Sequence, residues 1–90
     1  MAVPVGFEWD EGKAAANVAK HGVSFDEAAT VFEDPDALED DDGAGAGVLV
    51  IIGYSIALRL LLVVFVERDD RDRIISARQA TPEERRRYEG

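Results

Sequence analysis

One nearly uncharged stretch limits the folds that this chain can adopt. Residues 48–66 contain a single charged side chain, Arg59, in nineteen positions. A run of that length is sufficient for a transmembrane helix. It is, however, rich in valine and isoleucine, is interrupted by Gly53-Tyr54-Ser55 and lacks the basic flanks of a membrane span. The pattern therefore favours two buried antiparallel strands, at about 48–54 and 58–68, over a small membrane protein.

The residues before this run carry the signals of two consecutive helices. Asp10 can cap a first helix, which ends at Lys20-His21-Gly22. A second helix has a capping box, Ser24 with Glu27, and one apolar stripe formed by Phe25, Ala28, Ala29 and Phe32. Pro35 ends this helix. The acidic and glycine-rich residues 36–47 are predicted to form a mobile loop that is dispensable for folding.

The residues after the run predict a third strand and a last helix. A turn at 69–72 precedes the strand, at 73–78, and Thr81-Pro82-Glu83-Glu84 opens the helix with a second capping box. We therefore predict a single α+β domain over residues 1–90. An N-terminal helix hairpin packs on a three-stranded antiparallel meander, and a short C-terminal helix closes the fold. Residues 7–8 can add a short N-terminal strand.

Charge is distributed unevenly along the chain. The net charge is −9. Residues 1–45 hold two lysines against twelve carboxylates, whereas residues 46–90 hold eight arginines against seven carboxylates. Because arginine is suited to bidentate contacts with phosphate, the C-terminal half is the better candidate for binding a nucleic acid.

The residue types that are missing or rare exclude or disfavour several kinds of functional site. The chain has no cysteine, which excludes disulfides and thiolate ligands, and its one histidine makes a zinc site unfavourable. The first residues have no basic segment followed by a long apolar one, so no secretory signal is expected. We therefore expect a cytoplasmic protein without a metal or another cofactor.

An ordered set of segments resembles the BrnT family of toxins, within the RelE-like group. The matching residues are Phe7-Glu8-Trp9-Asp10, Lys13, Asn17, Lys20-His21-Gly22-Val23-Ser24-Phe25, Ala28-Ala29, Val31-Phe32, Asp34-Pro35, Ile52-Gly53-Tyr54-Ser55, Leu61, Val63, Glu67-Arg68, Arg73-Ile74-Ile75-Ser76-Ala77-Arg78, Ala80-Thr81, Glu84-Arg85 and Tyr88. The resemblance covers nearly the whole chain and implies a RelE-like fold.

The resemblance also implies an activity and a set of partners. Members of the family are metal-independent endoribonuclease toxins, neutralised by BrnA, a DNA-binding antitoxin of the ribbon-helix-helix type. The assembly represses its own operon, so the toxin contacts DNA only indirectly, and both a homodimer and a toxin–antitoxin heterotetramer stay open. One departure supports an alternative. Gly45-Ala46-Gly47-Val48 stands where the family carries a Glu-Arg pair, which suits a catalytically silent module that acts in antitoxin binding and autorepression.

Three side chains are candidates for the chemistry that the resemblance implies. Metal-free cleavage needs cations to stabilise the phosphorane and groups that move protons. Arg78 is the candidate phosphate clamp, and strand alternation puts it on the face opposite Arg73. Glu67 can act as a base if it is partly buried, and His21 is a candidate because histidine is the side chain used most often for general acid–base catalysis. Each candidate also has a purely structural interpretation. Arg78 can be an edge arginine paired with a carboxylate, Glu67 can mark the point where a strand reaches water, and His21 can be a histidine that stabilises the end of a helix.

Five further side chains are candidates for holding RNA, namely Arg59, Arg68, Lys20, Arg85 and Tyr88. On a helix, Arg85 and Tyr88 share a face, so they can hold a phosphate and stack on a base. Docking of the last helix on the rest of the protein explains the same pair equally well.

Overall fold

The computed structural model describes residues 3–43 and 45–90. Along these residues the chain forms strand β1 (Phe7–Glu8), helix α1 (Glu11–His21), helix α2 (Phe25–Thr30) with a 3-10 turn (Val31–Glu33), and strands β2 (Leu38–Asp41), β3 (Val48–Tyr54), β4 (Leu60–Arg68) and β5 (Arg71–Gln79). Helix α3 (Pro82–Glu89) follows. The described residues contain no helix long and apolar enough to cross a membrane. The apolar run is instead divided between β3 and β4, as predicted.

The predicted α+β class is correct, but the predicted three-stranded meander is wrong. The described strands form one mixed five-stranded sheet in the order β1-β5-β4-β3-β2. Strands β2 to β5 pair antiparallel, whereas β1 runs parallel to β5 through Phe7 and Glu8. Two residues are too few to show an alternating pattern, so the sequence can suggest β1 without showing its partner.

The predicted acidic loop is also partly wrong. Leu38–Asp41 pairs with β3 as an edge strand, and all four of its residues are exposed. An edge strand with charged side chains on an open edge shows no apolar alternation, so nothing in residues 38–41 predicted a strand. Ala44, also within the predicted loop, lies outside the described residues.

The helix caps follow the predictions with one exception. The side chains of Asp10, Ser24 and Thr81 each accept a hydrogen bond from an amide in the first turn of α1, α2 and α3. At α3 the capping box is complete. At α2 only Ser24 takes part, because the Glu27 carboxylate is bound by Arg59 and Ser55 instead. The second helix is also shorter than the predicted hairpin arm, since it tightens into the 3-10 turn after Thr30.

The main core lies between the sheet and helices α1 and α2. It is formed by fully or nearly fully buried side chains from the helix layer and the three central strands: Val23, Phe25, Ala28, Ala29, Val31, Ile51, Leu61, Val63, Phe65, Ile74 and Ala77. A smaller cluster of Ile52, Leu60 and Leu62 lies on the opposite face of the sheet, where Tyr88 of α3 packs against it.

A bulge in β5 changes which residues share a face. Val63 pairs with Ala77, but Phe65 pairs with Ile74, so β5 has one extra residue between these two pairs. Ile74 and Ala77 are therefore both in the main core although they are three positions apart. Arg73 opposite Val66 and Arg78 opposite Leu62 consequently share the other face. The prediction that simple alternation would separate these two arginines was wrong.

One buried polar side chain joins the helix layer to β5. The Asn17 amide group donates to the carbonyls of Val23 and Ala77, at 2.9 and 2.8 Å, and its oxygen accepts from the Ala77 amide at 3.2 Å. Strand β1 pairs with β5 only at residues 72 and 73, so it does not cover the edge at Ala77. Asn17 satisfies the backbone there as a neighbouring strand would.

We expect Asn17→Ala to destabilise the protein by roughly 2–4 kcal/mol, because it leaves buried backbone groups of Ala77 and Val23 without a partner. For a domain of this size the melting temperature should fall by roughly 10–30 °C. Urea unfolding measures the loss, and Lys13→Ala, an exposed position on the same helix, is the control. Equal stability of the two variants would show that the Asn17 contacts do not hold α1 on β5.

Candidate functional site

The sheet face opposite α1 and α2 carries several arginines from the C-terminal half of the chain. We call this surface the α3 face. It comprises Arg73, Ser76 and Arg78 of β5, the apolar residues of β3 and β4 that pack on the smaller cluster, and the three α3 side chains that contact them, Glu84, Arg85 and Tyr88. Of the predicted site residues, Arg78, Arg85 and Tyr88 lie here. Arg68 is at the far end of β4, where it approaches Glu8 at 4.0 Å.

Arg78 is held by a carboxylate from α3. Its Nη1 and Nη2 atoms donate to the two carboxylate oxygens of Glu84 at 2.7 and 2.9 Å, and Nη1 also donates to the Gln79 carbonyl at 3.2 Å. The Glu84 side chain is 19% exposed and that of Arg78 37%. The hydrogen bonds from Arg78 outweigh the effect of burial and lower the pKa of Glu84 to about 2.

Two tyrosines anchor the other end of α3. The rings of Tyr54 and Tyr88 pack edge to face with centroids 5.4 Å apart. The Tyr88 hydroxyl donates to Asp34 Oδ2 at 2.7 Å, and this hydrogen bond raises the pKa of Tyr88 to about 12. The Tyr54 hydroxyl instead accepts from Arg85 Nη1 at 3.2 Å. Among the described residues no group accepts the Tyr54 hydroxyl proton, whereas the Tyr88 proton is donated to Asp34.

Asp34 links α3 to the end of β3. Its carboxylate accepts from the Tyr54 amide at 2.8 Å and from the Asp36 amide at 2.9 Å. Burial alone would raise the pKa of Asp34, but these hydrogen bonds and the one from Tyr88 lower it. Gly53 allows Asp34 to lie this close to β3, because a Cβ atom at position 53 would be 3.0 Å from Asp34 Oδ2 and 3.0 Å from the Ala37 Cβ.

The remaining arginine of the α3 face, Arg73, pairs with the first strand. Its Nη1 donates to Glu8 Oε2 at 2.9 Å, and the same oxygen is the one approached by Arg68. Arg73 and Glu8 also occupy paired positions in β5 and β1. The parallel strand β1 thus supplies the counter-charge for both arginines.

The other four predicted site residues lie away from the α3 face. Arg59 Nε donates to Glu27 at 2.9 Å, and Nη2 reaches both Glu27 and the Gly22 carbonyl at the junction of α1 and α2. Its hydrogen bond with Glu27 lowers the pKa of that carboxyl. His21 and Lys20 are in the last turn of α1. Glu67 is exposed and lies opposite Asp72, on the side of the sheet that faces the helices.

Sequence reasoning gave no site role to Asp34, Tyr54, Arg73 or Glu84. Tyr54, Asp34, Arg73 and Glu84 all belong to segments that carry the family resemblance, which is the signal that could have singled them out. Their positions depend on contacts between residues far apart in the chain, such as Tyr88 with Asp34. Among residues 3–43 and 45–90, no three histidine or carboxylate side chains converge in an arrangement that could hold a metal ion.

The fold agrees with comparisons to known proteins. The sequence model of one family, described as ribonuclease toxin, BrnT, of type II toxin-antitoxin system, matches residues 9–84. The chain therefore belongs to this family of ribonuclease toxins, which confirms the resemblance seen in the sequence.

One solved structure is similar to this chain over most of its length. It is the crystal structure of the ribonuclease toxin BrnT from Brucella abortus. The two are 29% identical, with a TM-score of 0.67, and the match covers 81% of this chain and 92% of the Brucella chain. No curated protein sequence matches this chain.

The pairing of Glu84 with Arg78 makes a prediction about acid stability. The pKa of Glu84 falls from an ordinary value near 4.5 to about 2 on folding. The unfolded chain therefore binds a proton first as the pH falls, and the stabilisation by this carboxylate is present near neutrality and is lost between about pH 5 and pH 2.

We expect wild type to be more stable than Glu84→Gln near neutrality and the difference to disappear toward pH 2. Thermal or urea unfolding at several pH values between 7 and 2 measures it. Because glutamine can still accept from the Thr81 amide, the helix cap is largely retained. A difference that does not change over this range would contradict the assigned ion pair.

Proposed function

We propose that this protein is an endoribonuclease that cleaves RNA without a metal ion and binds it on the α3 face. The observation that supports this most strongly is the bulge in β5, which brings Arg73 and Arg78 to one face. Helix α3 adds Arg85 and Tyr88 to the same face. Several guanidinium groups on one partly apolar surface are suited to an RNA strand, because they contact phosphates while bases pack on the surface.

Arg78 is assigned the central role in the chemistry. The 2′-hydroxyl gives its proton to a base and attacks the neighbouring phosphate, which forms a doubly charged phosphorane. The bond from phosphorus to the 5′-oxygen then breaks, and that oxygen takes up a proton. A fixed guanidinium stabilises the phosphorane more than it stabilises the substrate. Arg85 and Arg68 then contact flanking phosphates, and the Tyr88 ring offers a surface for a base. In this mechanism Arg78 stabilises charge and positions the phosphate, and its two hydrogen bonds to Glu84 support both roles.

The α3 face supports a role in proton transfer less well than a role in stabilising charge on a phosphate. With a pKa of about 2, Glu84 is a weak base at neutral pH. His21 and Glu67 stay predictions, as do the RNA contacts of Arg59 and Lys20, because these four residues lie outside the α3 face. Rates of His21→Ala and Glu67→Gln across pH would show directly whether either side chain moves a proton.

The same proposal includes the partners that the family resemblance implies. The antitoxin is a BrnA-like ribbon-helix-helix protein, and operator DNA is contacted through it. The net charge of −9 fits such an arrangement, since an acidic toxin is attracted to a basic DNA-binding partner. The oligomeric alternatives, a homodimer and a heterotetramer, are distinguished by light scattering with and without the antitoxin.

A second candidate function is a catalytically silent module that binds the antitoxin and contributes to repression. The acidic strand β2 favours it, because Asp40 lies 3.4 Å from Arg87 and offsets one cation of α3. The segment between β2 and β3 has glycine and alanine at the positions where relatives carry a Glu-Arg pair. This function predicts antitoxin binding without RNA cleavage.

We expect Arg78→Ala to lower the rate of RNA cleavage by an amount equivalent to roughly 2–4 kcal/mol, and Arg78→Lys to restore part of it, because lysine keeps the charge but not the fork. Cleavage of a defined RNA, with EDTA present, and growth on expression without antitoxin are the measurements. Arg86→Ala removes an exposed arginine from α3 and is the matched control.

Thermal melts show whether the Arg78 variants are folded, and a stability loss of about 1 kcal/mol is expected from the broken ion pair. A folded Arg78→Ala protein that cleaves as fast as the Arg86→Ala control would remove Arg78 from the mechanism. If wild type cleaves no RNA at any salt concentration, while it binds the antitoxin, the silent-module function replaces the proposed one.

A further inference from the structure

The hydrogen bonds of Arg78 leave one particular edge of its guanidinium free. A guanidinium has five N–H groups arranged in a plane. Three are used here: one on each Nη for Glu84, and the second on Nη1 for the Gln79 carbonyl. Among residues 3–43 and 45–90, no group accepts from the Nε–H or from the second N–H of Nη2. These two N–H groups lie in the guanidinium plane, next to each other and parallel, along one edge.

Two parallel donors of this kind match two oxygens of a phosphate. Arginine binds phosphate and carboxylate in a bidentate manner through either of its two forks. Glu84 occupies the end fork, Nη1 and Nη2, so the side fork, Nε and Nη2, is the one that a ligand can use. An anion can therefore bind Arg78 while Glu84 stays in place.

Glu84 is itself fixed more firmly than a surface carboxylate usually is. Its Oε1 accepts from the Thr81 amide at 2.9 Å in the capping box, in addition to the two contacts with Arg78. The capping box ties its position to the first turn of α3, and the side chain is only 19% exposed. The orientation of the guanidinium is thus set by the start of the helix.

We propose that Glu84 is a positioning residue, which turns the guanidinium of Arg78 so that its Nε–Nη2 edge receives the scissile phosphate of RNA. This inference rests on the proposed ribonuclease function and deepens it. Glu84 does not touch the substrate. It acts through Arg78, by removing the rotational freedom that a flexible arginine would otherwise have to lose when RNA binds.

The opposite role for Glu84 would be that of a blocking group. A carboxylate bound to an arginine resembles a phosphate, and one that had to leave before RNA could bind would compete with the substrate. The two roles predict opposite effects of neutralising Glu84. Positioning predicts a slower enzyme, whereas blocking predicts tighter substrate binding and a faster one.

Glu84→Gln tests this directly, with Glu83→Gln as the matched control. Both remove one negative charge from the first turn of α3, but Glu83 is exposed and makes no contact with Arg78. We expect Glu84→Gln to lower kcat roughly tenfold to a hundredfold with a smaller change in KM, and Glu83→Gln to leave both nearly unchanged. Equal rates in the two variants, or a faster Glu84→Gln enzyme, would overturn the proposal.

Repeating Glu84→Gln in the Arg78→Lys background separates positioning from a general structural effect. Lysine has no fork to orient, so the loss caused by Glu84→Gln should fall to less than about twofold there. A loss of the same size in both backgrounds would mean that Glu84 acts through the stability of α3 and not through Arg78.

A binding measurement keeps the proposal testable even if the protein cleaves nothing. In ¹⁵N-labelled wild type, the Arg78 Nε–H resonance, identified by its absence in Arg78→Lys, should shift on addition of inorganic phosphate or a 2′-deoxy oligonucleotide. The shift should be weaker in Glu84→Gln and unchanged in Glu83→Gln. A wild-type resonance that ignores both probes would overturn the proposal, whereas absent cleavage with a normal shift would overturn only the ribonuclease function.

Discussion

The hydrogen bonds of Asn17 to the backbone of Ala77 couple the two layers of this protein. A buried amide that bonds both the N–H and the C=O of one strand residue fixes the distance between α1 and β5 and also the register along the strand. Ala77 lies between the β5 bulge and Arg78, so the same contact helps to fix the strand from which the Arg78 side chain extends. Apolar packing alone would not do this, because dispersion contacts have little directional preference.

Helix α3 depends on polar contacts to an unusual degree. None of its side chains is fully buried. Its position is set by the pair of Arg78 with Glu84 at one end and by Tyr88 with Asp34 at the other. These contacts involve charged groups, so the geometry of the α3 face responds to pH and to salt, whereas the core between the sheet and α1 and α2 does not. Ionisation and the docking of this helix are therefore linked.

Folding brings the acidic first half of the chain into contact with the arginine-rich second half. Several carboxylates from the acidic half are brought next to arginines from the second half, as Glu8 is with Arg73 and Glu27 is with Arg59. Arg85 is different, because its described contact is with the Tyr54 hydroxyl and not with a carboxylate. Arg85 is therefore one arginine of the α3 face that carries no described ion pair, and the arginines of this kind are fewer than the composition suggests.

Much of the local structure could be predicted from the sequence. The caps at Asp10, Ser24 and Thr81, the division of the apolar run into two strands and the helix at Pro82 depend on neighbours in the chain or on periodicity, and the family resemblance depends on residue order. The presence of Arg78, Arg85 and Tyr88 in the candidate site could also be anticipated, although their roles stay predictions.

Tertiary structure alone decided that β1 lies parallel to β5, that β2 is an edge strand and that Arg73 joins Arg78. It also decided that Glu27 binds Arg59 instead of completing its capping box. The physical reason is the same in each case: backbone pairing, a one-residue bulge and an ion pair between distant residues leave no periodic trace in the sequence, because their partners are brought together only by folding.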